Sequence, residues 1–67
     1  MAEIRINGET RTVAEGSTIA SLLGELDLPA KRVAVEHNGE VVSRQSWHEV
    51  SLNDGDRVEV VHFVGGG

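Results

Sequence analysis

Apolar and polar residues alternate from the start of the chain. In "EIRIN", Ile4 and Ile6 fall on one face, and Glu3, Arg5 and Asn7 on the other. A period of two predicts a half-buried strand. Asn7-Gly8 then predicts a tight hairpin, because both central residues of a type I′ turn need positive φ. The partner strand is "TRTVA", Thr10 to Ala14, ended by Glu15-Gly16. After Ser17 or Thr18, either of which can cap a helix by accepting a free backbone N–H, the period lengthens. Ile19, Leu22, Leu23 and Leu26 form a single apolar stripe with helical spacing. Gly24 lies nearly opposite that stripe and is expected to face solvent. Leu28-Pro29 is expected to end the helix, since the residue before proline disfavours the α region.

Alternation resumes in "RVAVEHNGEVV", a second hairpin with Val33 and Val35 inward and Asn38-Gly39 at its turn. "SRQSWHEVSL" is less periodic and predicts a loop with a short turn and a brief strand, in which Trp47 plugs one end of the core. "NDGD", Asn53 to Asp56, is a further tight turn, and "RVEVVHFV" is the last strand. Within it Val58 and Val60 are expected to point inward, beneath Ile19, Leu22, Leu23 and Leu26. Glu59, Val61 and Phe63 then lie on the opposite, open face.

The order is ββαββ plus a final β, and one striped helix must cover one sheet face. This predicts an α+β fold: a β-grasp (ubiquitin-like) roll, a mixed sheet of four to five strands covered by one main helix. The first and last strands are its natural central pair. The expected organisation is a β-grasp domain over 1–64 and a flexible glycine tail over 65–67.

Composition narrows the chemistry. A chain of 67 residues makes one small domain, which buries only about 60% of the surface its unfolded chain exposes. It contains no Cys, so a disulfide framework is excluded and a cytoplasmic location is expected. No stretch reads as a secretory signal or a membrane span. Eleven acidic against six basic residues give a net charge of −5, which argues against nucleic acid as a partner. His37, His48 and His62 are too widely spaced for a recognised zinc pattern, so no metal is expected. Asp54 and Asp56 lack the calcium-loop pattern and read as turn formers. The glycines form no phosphate loop, and one helix on one sheet offers no cleft to gather a Ser, His and Asp. No catalytic residue is expected within the domain.

That leaves "VVHFVGGG", where a strand runs without a break into three glycines. Glycines bury no side chain and are the costliest residues to order. Their lack of bulk suits a chain end threaded into a narrow site of another protein. A terminal carboxylate is ionised and inert at neutral pH, so it would react only after activation, for example as an acyl-adenylate.

The chain resembles the ThiS family, the small sulfur-carrier proteins of thiamine biosynthesis, over essentially its whole length. The likeness rests on the β-grasp pattern, "TIASLLGELDL" at the helix, Val42-Ser43-Arg44 leading to Trp47, "NDGD" before the last strand, and the ending "HFVGGG". Relatives often carry Pro where Ser43 stands, a loop variation. The resemblance implies that Gly67 is the covalent carrier site, through its carboxylate. An adenylyltransferase of the ubiquitin-activating type would adenylate it with ATP, and sulfur from a cysteine desulfurase relay would make the thiocarboxylate. Thiazole synthase would then accept the sulfur. Gly65 and Gly66 would thread the end into each partner, while Glu59, Val61 and Phe63 form the docking patch. The chain would itself bind no cofactor and act as a protein co-substrate, not an enzyme. Three alternatives share parts of this pattern: a molybdopterin synthase small subunit, a ubiquitin-like modifier, and a non-covalent β-grasp binding module.

Overall fold

The computed structural model describes residues 1–63. Strands β1 (Ala2–Ile6) and β2 (Glu9–Val13) precede helix α1 (Ile19–Glu25). Strands β3 (Val33–His37), β4 (Glu40–Val42) and β5 (Arg57–His62) follow, with single 3₁₀ turns at Ala30–Arg32 and Arg44–Ser46. The five strands form one sheet in the order β2-β1-β5-β3-β4. The first and last strands are neighbours, as expected, and they run parallel. Every other pairing is antiparallel. β5 is the middle strand.

Local chemistry explains the elements. Asn7 and Gly8 have φ of 49° and 84°, and Asn38 and Gly39 have 52° and 90°, as two I′ hairpins require. The first turn closes on an Ile6–Glu9 pair. That shifts the second strand one residue ahead of the Thr10 to Ala14 expected from the sequence.

The helix starts at Thr18, whose hydroxyl accepts from Ser21 N–H at 3.2 Å while Ser21 Oγ accepts from Thr18 N–H at 2.8 Å. Two further first-turn donors, Ile19 and Ala20, bond the carbonyls of Val50 and Trp47 at 3.1 Å. The loop after β4 therefore caps the helix as well as flanking it.

The helix ends earlier than Leu28-Pro29. Asp27 adopts φ 57°, and the N–H groups of Asp27 and Leu28 bond the carbonyls of Gly24 and Leu23. This left-handed closure satisfies the last carbonyls before proline can act. Leu26 becomes the C-cap, and Pro29 leads into the following 3₁₀ turn.

Ile19, Leu22 and Leu23 are buried against Ala2, Ile4, Val33, Val35 and Val58 on one sheet face, with Val13 and Leu52 at the margins. Leu26 and Val60 pack on this core but are only partly buried. Gly24 has open space where a Cβ would stand, in keeping with its solvent-facing position. Trp47 is buried and donates its indole N–H to the Val42 carbonyl at 3.0 Å. It closes the core at the β4 end, as expected of it.

Candidate functional site

β5 organises the surface next to the chain end. Val58, Val60 and His62 take one face and Arg57, Glu59 and Val61 the other. Val58 is completely buried, Val60 half-buried, and Glu59 exposed. Val61 and Phe63 are each 54% exposed, so neither is a core residue. Val61 stands opposite Ala34, and Glu59 opposite Glu36. Val41, 75% exposed, pairs with Glu36 from the far side. The open face at this end of the sheet is thus apolar at Val61, Ala34 and Val41, with two carboxylates set between.

Phe63 lies just beyond β5, and its N–H bonds the Arg32 carbonyl at 2.7 Å. The β3–β5 ladder therefore holds its backbone although its ring is largely free. The ring lines a shallow groove of about 290 Å³ together with Val42, Trp47, Lys31 and Arg44. The rim is mixed in charge: the acids lie on the Val61 side and two bases on the Phe63 side. Sequence reasoning foresaw Glu59 and missed Lys31 and Arg44, because their loops reach Phe63 only in the folded chain.

The structure exposes Glu59 and Val61 on the open sheet face, and Phe63, beyond the strand, is exposed at the groove it shares with Val42 and Trp47. The roles expected of Gly65, Gly66 and Gly67, and the tail over 65–67, fall on residues outside those described.

Elsewhere the titratable groups do structural work. Asp56 Oδ2 accepts from Asn53 N–H at 2.9 Å, the local turn-forming role expected of it, whereas Asp54 Oδ1 accepts from Glu3 N–H at 2.8 Å and ties the turn to β1. Asp56 also meets His37 Nε2 at 2.8 Å and Asn38 Nδ2 at 3.2 Å. Burial pushes its carboxyl upward, but the bonds from Asn53, His37 and Asn38 outweigh this and hold it below the usual carboxylate range. No Ser hydroxyl is among the hydrogen-bond partners of this His–Asp pair, so it does not resemble a nucleophilic triad. Among the described residues, no three His, Cys, Asp or Glu side chains are grouped to hold a metal ion. Among the same residues, no helix is long and apolar enough to cross a membrane.

A single helix on a five-stranded mixed sheet, with a patch of exposed apolar side chains beside the chain end, defines a small β-grasp protein of the ubiquitin-like kind. The pattern of the ThiS family matches residues 4–67. The chain belongs to that family.

It is 42% identical over 65 residues to the "Sulfur carrier protein ThiS" of Bacillus subtilis, covering 96% of this chain and 98% of that one. It is also 48% identical over 62 residues to a "Thiazole synthase" of Paramagnetospirillum magneticum, covering 92% of this chain. The chain spans only about a fifth of that relative and of a second thiazole synthase, 19% and 20%. Among solved structures, a thiamine biosynthesis protein (ThiS) from Geobacter metallireducens superposes with a TM-score of 0.84 at 40% identity. That match covers 97% of this chain and 99% of the other.

Proposed function

We propose that this chain is a sulfur carrier for thiazole formation in thiamine biosynthesis, with the carboxylate of Gly67 as the carrier site. The observation that supports it most is the family match, which runs to Gly67 itself, taken with the exposed Val61 and Phe63 directly upstream.

The chemistry follows from the inertness of a carboxylate. In the partner adenylyltransferase, a carboxylate oxygen attacks the α-phosphorus of ATP and pyrophosphate leaves. The acyl carbon is now joined to a good leaving group. The terminal sulfur of a persulfide, charged by a cysteine desulfurase relay, attacks that carbon and expels AMP. Reductive cleavage of the S–S bond by a thiol leaves the thiocarboxylate. Its sulfur is softer and more nucleophilic than the oxygen it replaces, and thiazole synthase accepts it without free sulfide being released. The chain binds no cofactor in this cycle and is a co-substrate for its partners. Gly65 and Gly66 present a backbone without bulk to each enclosing active site.

Intact-protein mass spectrometry of the chain from sulfur-replete cells tests the reading. A mass gain equal to one oxygen replaced by sulfur is expected. The gain should vanish when Gly67 is deleted or one residue is added after it. An extended variant that still takes up sulfur at full rate overturns the assignment, and conjugates to other proteins would indicate a modifier instead.

A further inference from the structure

The two edges of β5 are treated differently along its length. Asn38 N–H bonds the Arg57 carbonyl at 2.8 Å, and Phe63 N–H bonds the Arg32 carbonyl at 2.7 Å. By alternation, odd-numbered residues of β5 turn their main-chain groups toward β3, and Val58, Val60 and His62 turn theirs toward β1.

On the β1 side the pairing runs out. The register aligns β1 with β5 only at Arg5–Arg57 and Ile6–Val58, and Asn7 N–H adds a bond to the Val58 carbonyl at 2.9 Å. The chain then turns away at Asn7-Gly8. For one more residue the Asn7 side chain substitutes for a strand: its Oδ1 accepts from Val60 N–H at 2.8 Å, and its Nδ2 donates to the Val60 carbonyl at 3.3 Å. Opposite His62 no strand of the described residues remains.

A groove of about 340 Å³ lies beside this open edge. Ile6, Leu26, Leu28 and Val60 form its apolar part, with Asn7 and His62 at the polar rim. It exists because α1 stops at Glu25 and leaves the end of the sheet uncovered. An open backbone edge beside an apolar slot is the geometry that accepts an added strand, in which main-chain bonds give affinity and an alternate side chain fills the slot.

We infer that this edge of β5, at His62, pairs with an extended segment of thiazole synthase that places an apolar side chain in the groove between Leu26, Leu28 and Val60. The inference rests on the carrier reading above. Only four residues separate Phe63 from the Gly67 carboxylate, a reach of at most about 14 Å when fully extended. An enzyme that encloses that carboxylate must therefore stand close to His62, whose edge faces no strand among the described residues. Thiazole synthase is the occupant chosen because two proteins of that name contain a segment 48% and 45% identical to this chain.

Amide hydrogen exchange on the full-length, thiocarboxylated chain tests the inference, alone and with purified thiazole synthase. In the free chain the His62 amide is expected to exchange faster than those of Glu59 and Val61, which face β3. In the complex its exchange should slow by about tenfold or more, as for an amide that gains a hydrogen bond. Two variants separate main chain from side chain. His62→Pro removes the outward N–H while leaving the β3 ladder, and should weaken binding about tenfold. His62→Ala keeps the N–H, trims only the groove rim, and should lose clearly less than His62→Pro does.

A complex that forms without protecting His62, or equal losses in the two variants, overturns strand addition and leaves the carrier reading standing. If no complex forms while sulfur still reaches the thiazole product, strand addition is again overturned alone. If neither complex nor sulfur transfer is seen, both readings fall.

Discussion

His37 Nε2 lies 2.8 Å from Oδ2 of Asp56, and this contact ties the end of β3 to the turn that launches β5. An ionised carboxylate can only accept, so the nitrogen must carry the proton. The same carboxylate holds Asn53 and Asn38, and Asn38 Oδ1 in turn accepts from Arg57 N–H at 2.9 Å. Asp56→Ala is therefore expected to cost about 2 kcal/mol, since it leaves several donors unpaired at once. Urea unfolding at neutral pH measures it.

The pH dependence of that contribution has a definite sign. The carboxyl of Asp56 sits below its usual range in the fold, so on acidification the unfolded chain takes up its proton first. Stability from this group is complete above the unfolded pKa of about 4 and is lost as pH falls through the lower folded value. The gap between the parent and Asp56→Ala should narrow as urea midpoints are followed from pH 6 down through this window. A gap that widens on acidification would contradict the assignment.

Asn7 serves the fold twice, by adopting φ 49° in its turn and by holding both main-chain groups of Val60. Two substitutions separate these roles. Asn7→Gly keeps the turn and should cost about 1 kcal/mol for the lost bonds. Asn7→Ala loses the bonds and also strains a left-handed position, adding about 1 kcal/mol more. Equal losses in thermal unfolding would mean that the turn preference carries no weight.

Trp47 joins core packing to a buried hydrogen bond. Trp47→Ala should cost about 4 kcal/mol, enough to unfold much of so small a domain. Trp47→Phe keeps most of the packing but loses the indole bond to the Val42 carbonyl, for an expected loss of about 1 kcal/mol. Far-UV circular dichroism must follow both, because Trp47 is the only Trp in the chain.

Phe63 should behave in the opposite way. More than half of it is accessible, so Phe63→Ser is expected to leave the melting temperature almost unchanged. Binding to thiazole synthase should weaken by about 2 kcal/mol, a loss typical of an anchoring aromatic. Calorimetric titration and a thermal melt of the same sample check both halves. Early melting with normal binding would make Phe63 a packing residue.

The elements and their inward faces were legible from local signals alone: a period of two in "EIRIN", a helical stripe from Ile19 to Leu26, and Asn-Gly pairs whose φ preferences need no distant partner. Alternation alone likewise placed Glu59 and Val61 on one face of the last strand, whereas Phe63 falls beyond its end. Features that depend on distant residues meeting emerged only in the folded chain. The place of β5 at the centre of the sheet, the Asn7 bonds to Val60, the His37–Asp56 contact, and Lys31 and Arg44 beside Phe63 are of this kind. No window of sequence carries them, since each is fixed by sheet order and register. The helix end shows the same division: Pro29 announces a stop, but Asp27 makes it two residues sooner, by the left-handed turn that closes the last hydrogen bonds. That early stop leaves Ile6 and Val60 only partly covered and opens the groove beside His62. Its cause is the balance between backbone bonding and sheet coverage, which exists only once helix and sheet have packed.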